Sequence, residues 1–146
     1  MTDKAEREAQ VQRNITELKS GATREPVAAL LGMELVELTP GYARVRIKLR
    51  PEYLNFNGKV FGGIIMSLAD FAFGYASNSL VCPSLASQFN IHFTAGAQPG
   101  DELTGECRVI RSGRRVGISE MTVTNQEGKL IARATGTTIP VPPPTG

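Results

Sequence analysis

The 146-residue chain holds one histidine, His92, and two cysteines, Cys82 and Cys107. One histidine excludes a His-rich metal site within a single chain. Two cysteines fall short of a disulfide framework or a zinc site. A dominant charge is missing too: sixteen Lys and Arg against fourteen Asp and Glu leave a net +2, which argues against a dedicated nucleic-acid partner. No apolar run reaches the roughly 18 residues needed to cross a bilayer. The opening MTDKAEREAQVQRN alternates charge where an export signal needs an apolar stretch. A cytoplasmic protein without membrane contact is the expectation.

Several catalytic signatures are also absent. There is no G-x-S-x-G, so the usual nucleophile elbow is missing. Neither G-x-G-x-x-G nor G-x-x-x-x-G-K-[ST] occurs, so nothing points to a dinucleotide or P-loop site. A Ser-His-Asp triad would have to use His92, which falls on the polar face of its strand, where a hydrated histidine is the simpler reading.

What is present describes a folded domain. Hydrophobic residues at 41% and charged residues at 21% exclude a disordered or collagen-like chain. The length suits one domain, which should bury about 68–70% of the surface its unfolded chain exposes.

Residues 1–25 form a charged N-terminal extension with five basic and five acidic side chains. Val11, Ile15 and Leu18 fit a short amphipathic helix lying loosely on the domain. The domain proper is expected over 26–141, with a Pro-rich tail at 142–146. Pro26 suits a first helical turn, Val27–Leu31 supply its apolar side and Gly32 can end it. Leu35–Leu38 read as extended, and Pro40-Gly41 is a turn. Ala43, Val45, Ile47 and Leu49 then alternate with Arg44, Arg46, Lys48 and Arg50, a half-buried strand with a wholly basic outer face.

The middle of the chain differs in kind. Between Lys59 and Asp101 the only charged side chain is Asp70. Gly62–Leu80 is apolar almost all round, as befits a helix inside a core, and would run about 28 Å. Extended segments follow at Phe89–Phe93, Glu102–Ile110, Val116–Thr124 and Lys129–Val141, with turns at Ser112-Gly113 and Asn125–Gly128. Pro140 and Pro142–Pro144 stop the last strand. The order implies an α+β layer architecture in which one antiparallel sheet wraps a long central helix.

Two features carry candidate chemistry. A lone carboxylate on a buried helix is costly unless paired, and its pKa tends upward. Asp70 is therefore either a functional carboxylate or one bonded to a backbone donor or across an interface. Gly62-Gly63 at the helix start leaves N–H groups bare at the positive end of the helix dipole. That suits an oxyanion, although two glycines also permit close packing at a helix entry. Gly62 and Asp70 lie eight residues and so about 12 Å apart along the axis, too far for both to touch one small carbonyl. If both act on one group, they come from two antiparallel helices, and a two-fold dimer with composite sites is expected.

The stretch Asn55-Phe56-Asn57-Gly58-Lys59-Val60-Phe61-Gly62-Gly63, followed by Ser67-Leu68-Ala69-Asp70, closely resembles the hotdog-fold thioesterases of the phenylacetate-degradation (PaaI-like) type. The likeness runs from about Leu31 to Ile139. It implies a hotdog fold, pairing into dimers or tetramers, and hydrolysis of acyl-CoA thioesters with no metal and no cofactor beyond the CoA of the substrate. By that resemblance Asp70 is the catalytic carboxylate, general base or nucleophile. Gly62 is the oxyanion donor with Gly63 beside it, and Asn55 positions the water or the reacting carboxyl group. The CoA arm would follow Arg114, Arg115, Val116, Gly117 and Ile118, with Phe93 as a further contact. Phe61 departs from the family, which has a His before the two glycines; a phenyl ring cannot hydrogen-bond the thioester oxygen. Half of the basic residues fall in two stretches: Arg44, Arg46, Lys48 and Arg50, which fit a solvated strand face, and Arg108, Arg111, Arg114 and Arg115, which surround a turn where a phosphate could bind. Phe71, Phe73, Tyr75 and Met66 are acyl-pocket candidates or plain core. The expected substrate is a small-to-medium or aromatic acyl-CoA. A non-catalytic acyl-CoA or lipid binder is the alternative. A dehydratase on the same fold would want a His paired with an acid.

Overall fold

The computed structural model describes residues 2–142, so the expected Pro-rich tail lies, beyond Pro142, outside the described residues. The elements are α1 (Asp3–Ala22), α2 (Pro26–Leu31), β1 (Met33–Thr39), β2 (Tyr42–Lys48), a 3₁₀ turn (Pro51–Tyr53), α3 (Gly62–Leu80), β3 (Ser84–Phe93), β4 (Glu102–Ser112), β5 (Gly117–Thr124) and β6 (Leu130–Pro140). The six strands form one sheet in the order β1-β2-β4-β5-β6-β3, antiparallel throughout. The chain leaves β2, runs through α3, lays β3 on the far edge and returns to place β4 beside β2. α3 consequently packs against all six strands.

Local sequence explains these elements. Pro26 opens α2, and Gly32 ends it at φ 70°, a left-handed cap that only glycine adopts without strain. Ala43, Val45, Ile47 and Leu49 are buried to within 2% of full occlusion; each large aliphatic side chain so placed contributes about 1.5–3 kcal/mol. The opposite face of β2 is not a free basic surface. Arg44 meets Glu37 at 3.3 Å and Arg46 meets Glu34 at 2.7 Å on β1, while Glu106 and Glu102 face Arg44 and Lys48 from β4. Such exposed pairs are worth at most about 1 kcal/mol each, but they neutralise the stripe.

α1 is longer and more firmly docked than its three apolar positions imply. Ile15 and Asn14 are buried, and the Asn14 amide donates to the Ser79 carbonyl at 3.4 Å. The polar residues at the end of α3 are ties of the same kind. Ser79 Oγ accepts from Gly41 N–H at 2.8 Å, and the Asn78 amide exchanges two bonds with the Ser84 backbone. They fix the far end of the helix to α1, to the β1–β2 turn and to β3.

α3 is not covered all round. Met66, Asp70 and Gly74 are exposed at four-residue spacing, with Gly62, Gly63, Ser67 and Asn78 half-exposed beside them. The sheet encloses the rest of the helix, where Leu68, Ala69, Ala72, Phe73 and Ala76 are essentially inaccessible. Asp70 thus belongs to an open stripe rather than to the core, which is how the chain tolerates it.

Two strand glycines let the helix sit this close. A Cβ on Gly105 would lie 3.1 Å from Leu68, and one on Gly136 would lie 2.8 Å from the Phe73 ring and 3.1 Å from the Gln88 carbonyl. Neither the buried ring nor the backbone has room to yield. Gly136→Ala should destabilise the fold by about 1–3 kcal/mol, seen as a lower midpoint in urea unfolding; an unchanged midpoint would show that α3 can shift outward freely.

Candidate active site

The start of α3 is shaped by what Phe61 cannot do. It is the N-cap residue and makes no side-chain cap, whereas a Ser or Asp there would occupy a free helix donor itself. Ile64 N–H is taken by the Phe61 carbonyl at 3.0 Å, but among the described residues Gly62 N–H and Gly63 N–H have no acceptor. Two donors therefore remain at the positive end of the helix dipole. Both glycines are roofed by aromatic rings. A Cβ on Gly62 would lie 3.2 Å from the tip of Phe93, and one on Gly63 would lie 2.5 Å from the Phe61 ring. Phe93 and Phe61 remain half-exposed, and Phe93 and Gly62 line an open cavity of about 300 Å³ with Lys59, Val60 and Gln98.

Two helical turns on, Asp70 opens into a larger cavity of about 440 Å³. Among the described residues its carboxylate has no hydrogen-bond partner and no ion pair. Although the side chain reaches solvent, the protein around it desolvates the carboxyl and pushes its pKa above the ordinary aspartate value. Ser67, one turn earlier, donates to the Gly63 carbonyl at 2.7 Å and lines the same cavity. A carboxyl held in that state can take a proton from water or attack a carbonyl carbon.

Asn55 has structural work to do. Its Oδ1 accepts from Asn57 N–H at 2.9 Å and Lys59 N–H at 3.1 Å, and Gly58 closes the loop at φ 69°. Asn125-Gln126-Glu127-Gly128-Lys129 repeats the pattern: Asn125 Oδ1 accepts from Glu127 and Lys129 N–H at 3.0 and 2.9 Å, with Gly128 at φ 77°. The Asn-x-x-Gly-Lys spacing is thus the signature of a loop that this chain builds twice. Only the Asn55 amide nitrogen, which has no partner among the described residues, is left to meet a ligand, as a donor.

The remaining expected residues lie elsewhere. Arg114, Arg115 and Val116 are exposed in the β4–β5 turn, which Gly113 N–H closes onto the Val116 carbonyl at 3.1 Å. Gly117 and Ile118 begin β5, and a Cβ on Gly117 would strike Thr138 Oγ1 at 2.6 Å. This turn adjoins Ser77 near the end of α3, at the opposite end from Gly62. Within one chain, then, Gly62, Gly63 and Phe93 gather at the helix start, Asp70 stands apart, and the arginine turn is remote from both. Of the four pocket candidates, Phe71, Phe73 and Tyr75 line the Asp70 cavity, while Met66 sits on the stripe outside it. Sequence reading quoted Ser67 within the motif but gave it no role, although it stands one turn before Asp70. It missed Glu25, whose carboxylate accepts from the Tyr75 hydroxyl at 2.5 Å across fifty residues.

A long helix wrapped by a six-stranded antiparallel sheet is the hotdog fold. The thioesterase superfamily model matches residues 57–132, and the chain belongs to that family. It is 39% identical to a putative esterase of Archaeoglobus fulgidus over 74% of this chain and 70% of that protein. To the acyl-coenzyme A thioesterase PaaI of Escherichia coli it is 33% identical, over 72% and 75%. The solved structure of E. coli PaaI superposes with a TM-score of 0.83 at 28% identity, covering 89% of this chain and 95% of that one. A Streptococcus mutans protein solved bound to acetyl CoA gives 0.73 at 27% identity, over 77% and 91%.

Two outcomes follow. Asn55→Ala and Asn125→Ala should each lose about 1–2 kcal/mol through two broken acceptor bonds, whereas the Asp replacements should hold the loop; chemical denaturation of the four variants checks this. The raised Asp70 pKa means that the folded chain holds that proton more tightly than the unfolded chain does. Stability therefore falls as pH climbs from the ordinary aspartate value through the raised one. Asp70→Asn should melt above wild type at neutral pH and level with it well below the aspartate range. Thermal melts at the two pH values would read the difference, and a lower neutral Tm would contradict it.

Proposed function

We propose that this protein hydrolyses acyl-CoA thioesters. The observation that carries the reading is a desolvated, unpaired carboxyl on the same open helix stripe as two unclaimed N–H donors. Asp70 takes a proton from water as the water oxygen bonds the thioester carbonyl carbon, or attacks that carbon itself. Gly62 N–H, with Gly63 beside it, takes the charge that develops on the carbonyl oxygen. The C–S bond then breaks and the CoA thiolate leaves, collecting the proton that Asp70 took. Where Asp70 attacks directly, water cleaves the resulting mixed anhydride, which frees the acid, restores the carboxylate and supplies that proton. Asn55, through its amide nitrogen, orients the water or the reacting carboxyl group. No metal or further cofactor enters the scheme. The names of the E. coli and S. mutans relatives, one a thioesterase and one bound to acetyl CoA, support it.

Spacing requires two copies of the chain. Gly62 and Asp70 stand about 12 Å apart on one helix, so a carbonyl held by Gly62 of one copy meets Asp70 of another whose helix runs antiparallel. The same reversal brings the second copy's arginine turn toward the first copy's helix start, where Arg114, Arg115 and the Val116–Ile118 backbone receive the CoA arm and Phe93 flanks it. A dimer is the minimum, and a tetramer satisfies the same requirement. The cavity beside Asp70, lined by Val27, Phe71 and Tyr75, suits a small-to-medium or aromatic acyl group.

Free-thiol release from short, long and aromatic acyl-CoAs tests the proposal. Asp70→Asn should lower kcat by about 10²–10⁴-fold while acyl-CoA binding persists. Unchanged kcat would remove Asp70 from the chemistry. Binding without thiol release by the wild type would make this an acyl-CoA-binding protein, with Phe61 as the reason.

A further inference from the structure

The Asp70 cavity holds a second carboxylate that the hydrolytic scheme does not use. Glu25 is the N-cap residue of α2, but its side chain makes no cap. It turns instead into the cavity, where one oxygen accepts from the Tyr75 hydroxyl at 2.5 Å. Its other oxygen has no partner among the described residues. Burial first, and then the hydrogen bond and charge of Glu25, push the Tyr75 pKa well above its ordinary value, so Tyr75 stays a protonated donor. Tyr75 lies five residues after Asp70, about 7.5 Å along the helix. Glu25 and Asp70 both line the one cavity, so the two carboxylates border a common space.

Among the described residues of one copy, no Lys, Arg or His lines that space; its remaining walls include Leu18, Val27, Phe71 and Leu85. A neutral acyl group entering it buries against apolar side chains. An acyl group with a carboxylate of its own would lose hydration and meet two negative charges with no cation to answer it. Resting on the thioesterase reading above, we infer that Glu25, held by Tyr75, is a charge filter: the cavity admits neutral acyl groups and rejects those ending in a carboxylate. The substrate class then narrows to monocarboxylic acyl-CoAs, aliphatic or aromatic. Rejection arises from the fixed charge of Glu25, and Tyr75 acts as a positioning residue that keeps the carboxylate aimed inward.

Hexanoyl-CoA and adipyl-CoA share a six-carbon chain and differ only in the terminal carboxylate, so the ratio of their kcat/KM values isolates the charge. A uniform loss of activity in a variant cancels in that ratio. Wild type should favour the hexanoyl ester by 100-fold or more, and Glu25→Gln should cut the preference at least tenfold. Tyr75→Phe breaks the same hydrogen bond and frees the carboxylate to turn away but keeps its charge, so its preference should fall below wild type yet stay clearly above that of Glu25→Gln. Equal use of both esters by wild type overturns the filter. So does a preference that survives Glu25→Gln, or one that Tyr75→Phe abolishes as fully, since the pair would then be only a clasp for α2. Should wild type release thiol from neither ester, the hydrolytic reading fails and calorimetric binding of the same two esters decides the filter. Tighter binding of hexanoyl-CoA that Glu25→Gln erases supports it, and equal affinity overturns it.

Discussion

A single sheet can enclose a helix on most of its circumference but leaves a gap where its two edges fail to meet. In this chain the gap runs along α3 as the line Gly63, Ser67, Asp70, Gly74 and Asn78. The Asp70 carboxyl, the Ser67 hydroxyl and the free N–H groups of Gly62 and Gly63 stand on that line or at its end. The enclosed faces carry Leu, Phe and Ala and hold the fold together. The open line carries a carboxyl, a hydroxyl and glycines, groups that would be intolerable one position round the helix. Desolvation of Asp70 follows from the same geometry, because the walls of the gap are close enough to exclude water on its flanks yet leave its tip accessible.

Charge is divided by place. On the outer face of β2 each arginine is matched by glutamates from β1 or β4, which leaves a mixed surface with little net field. The end of β4 and the turn after it are different, for Arg111, Arg114 and Arg115 enter no ion pair among the described residues. The Asp70 cavity reverses the sign, for among the described residues two carboxylates and no cation line it. A substrate with an anionic carrier and a neutral cargo suits such a division, since phosphates favour the turn and apolar carbon favours the cavity.

Much of this was legible in the sequence, for identifiable reasons. Strict alternation in β2 and the near-absence of charge from Lys59 to Asp101 exposed the layer architecture, because burial imposes a period on a strand and removes charge from a core helix. Gly62-Gly63 and Asp70 stood out as departures from that pattern. The open stripe was not visible: hydrophobic content alone does not distinguish a helix enclosed on every side from one with a narrow gap. Glu25 was illegible for another reason. Its meaning lies in Tyr75, fifty residues away, and no local pattern joins them. The docking of α1 likewise rests on Asn14 reaching a carbonyl near the end of α3, a contact that only tertiary structure creates. The oxyanion and water-positioning roles of Gly62, Gly63 and Asn55 rest on resemblance and on free donors.

The repeated Asn-x-x-Gly-Lys loop bears on how such a motif should be weighed. At Asn125 the loop leads into a strand, Leu130-Ile131-Ala132; at Asn55 it leads through Phe61 into the start of α3. The shared letters therefore encode a bend in the chain and would persist under selection for folding alone. Information about chemistry resides in what the second copy lacks: the glycine pair, the helix start and the carboxylate two turns on. A signature scored equally at every position counts the bend as if it were catalysis, and in this protein it would count it twice.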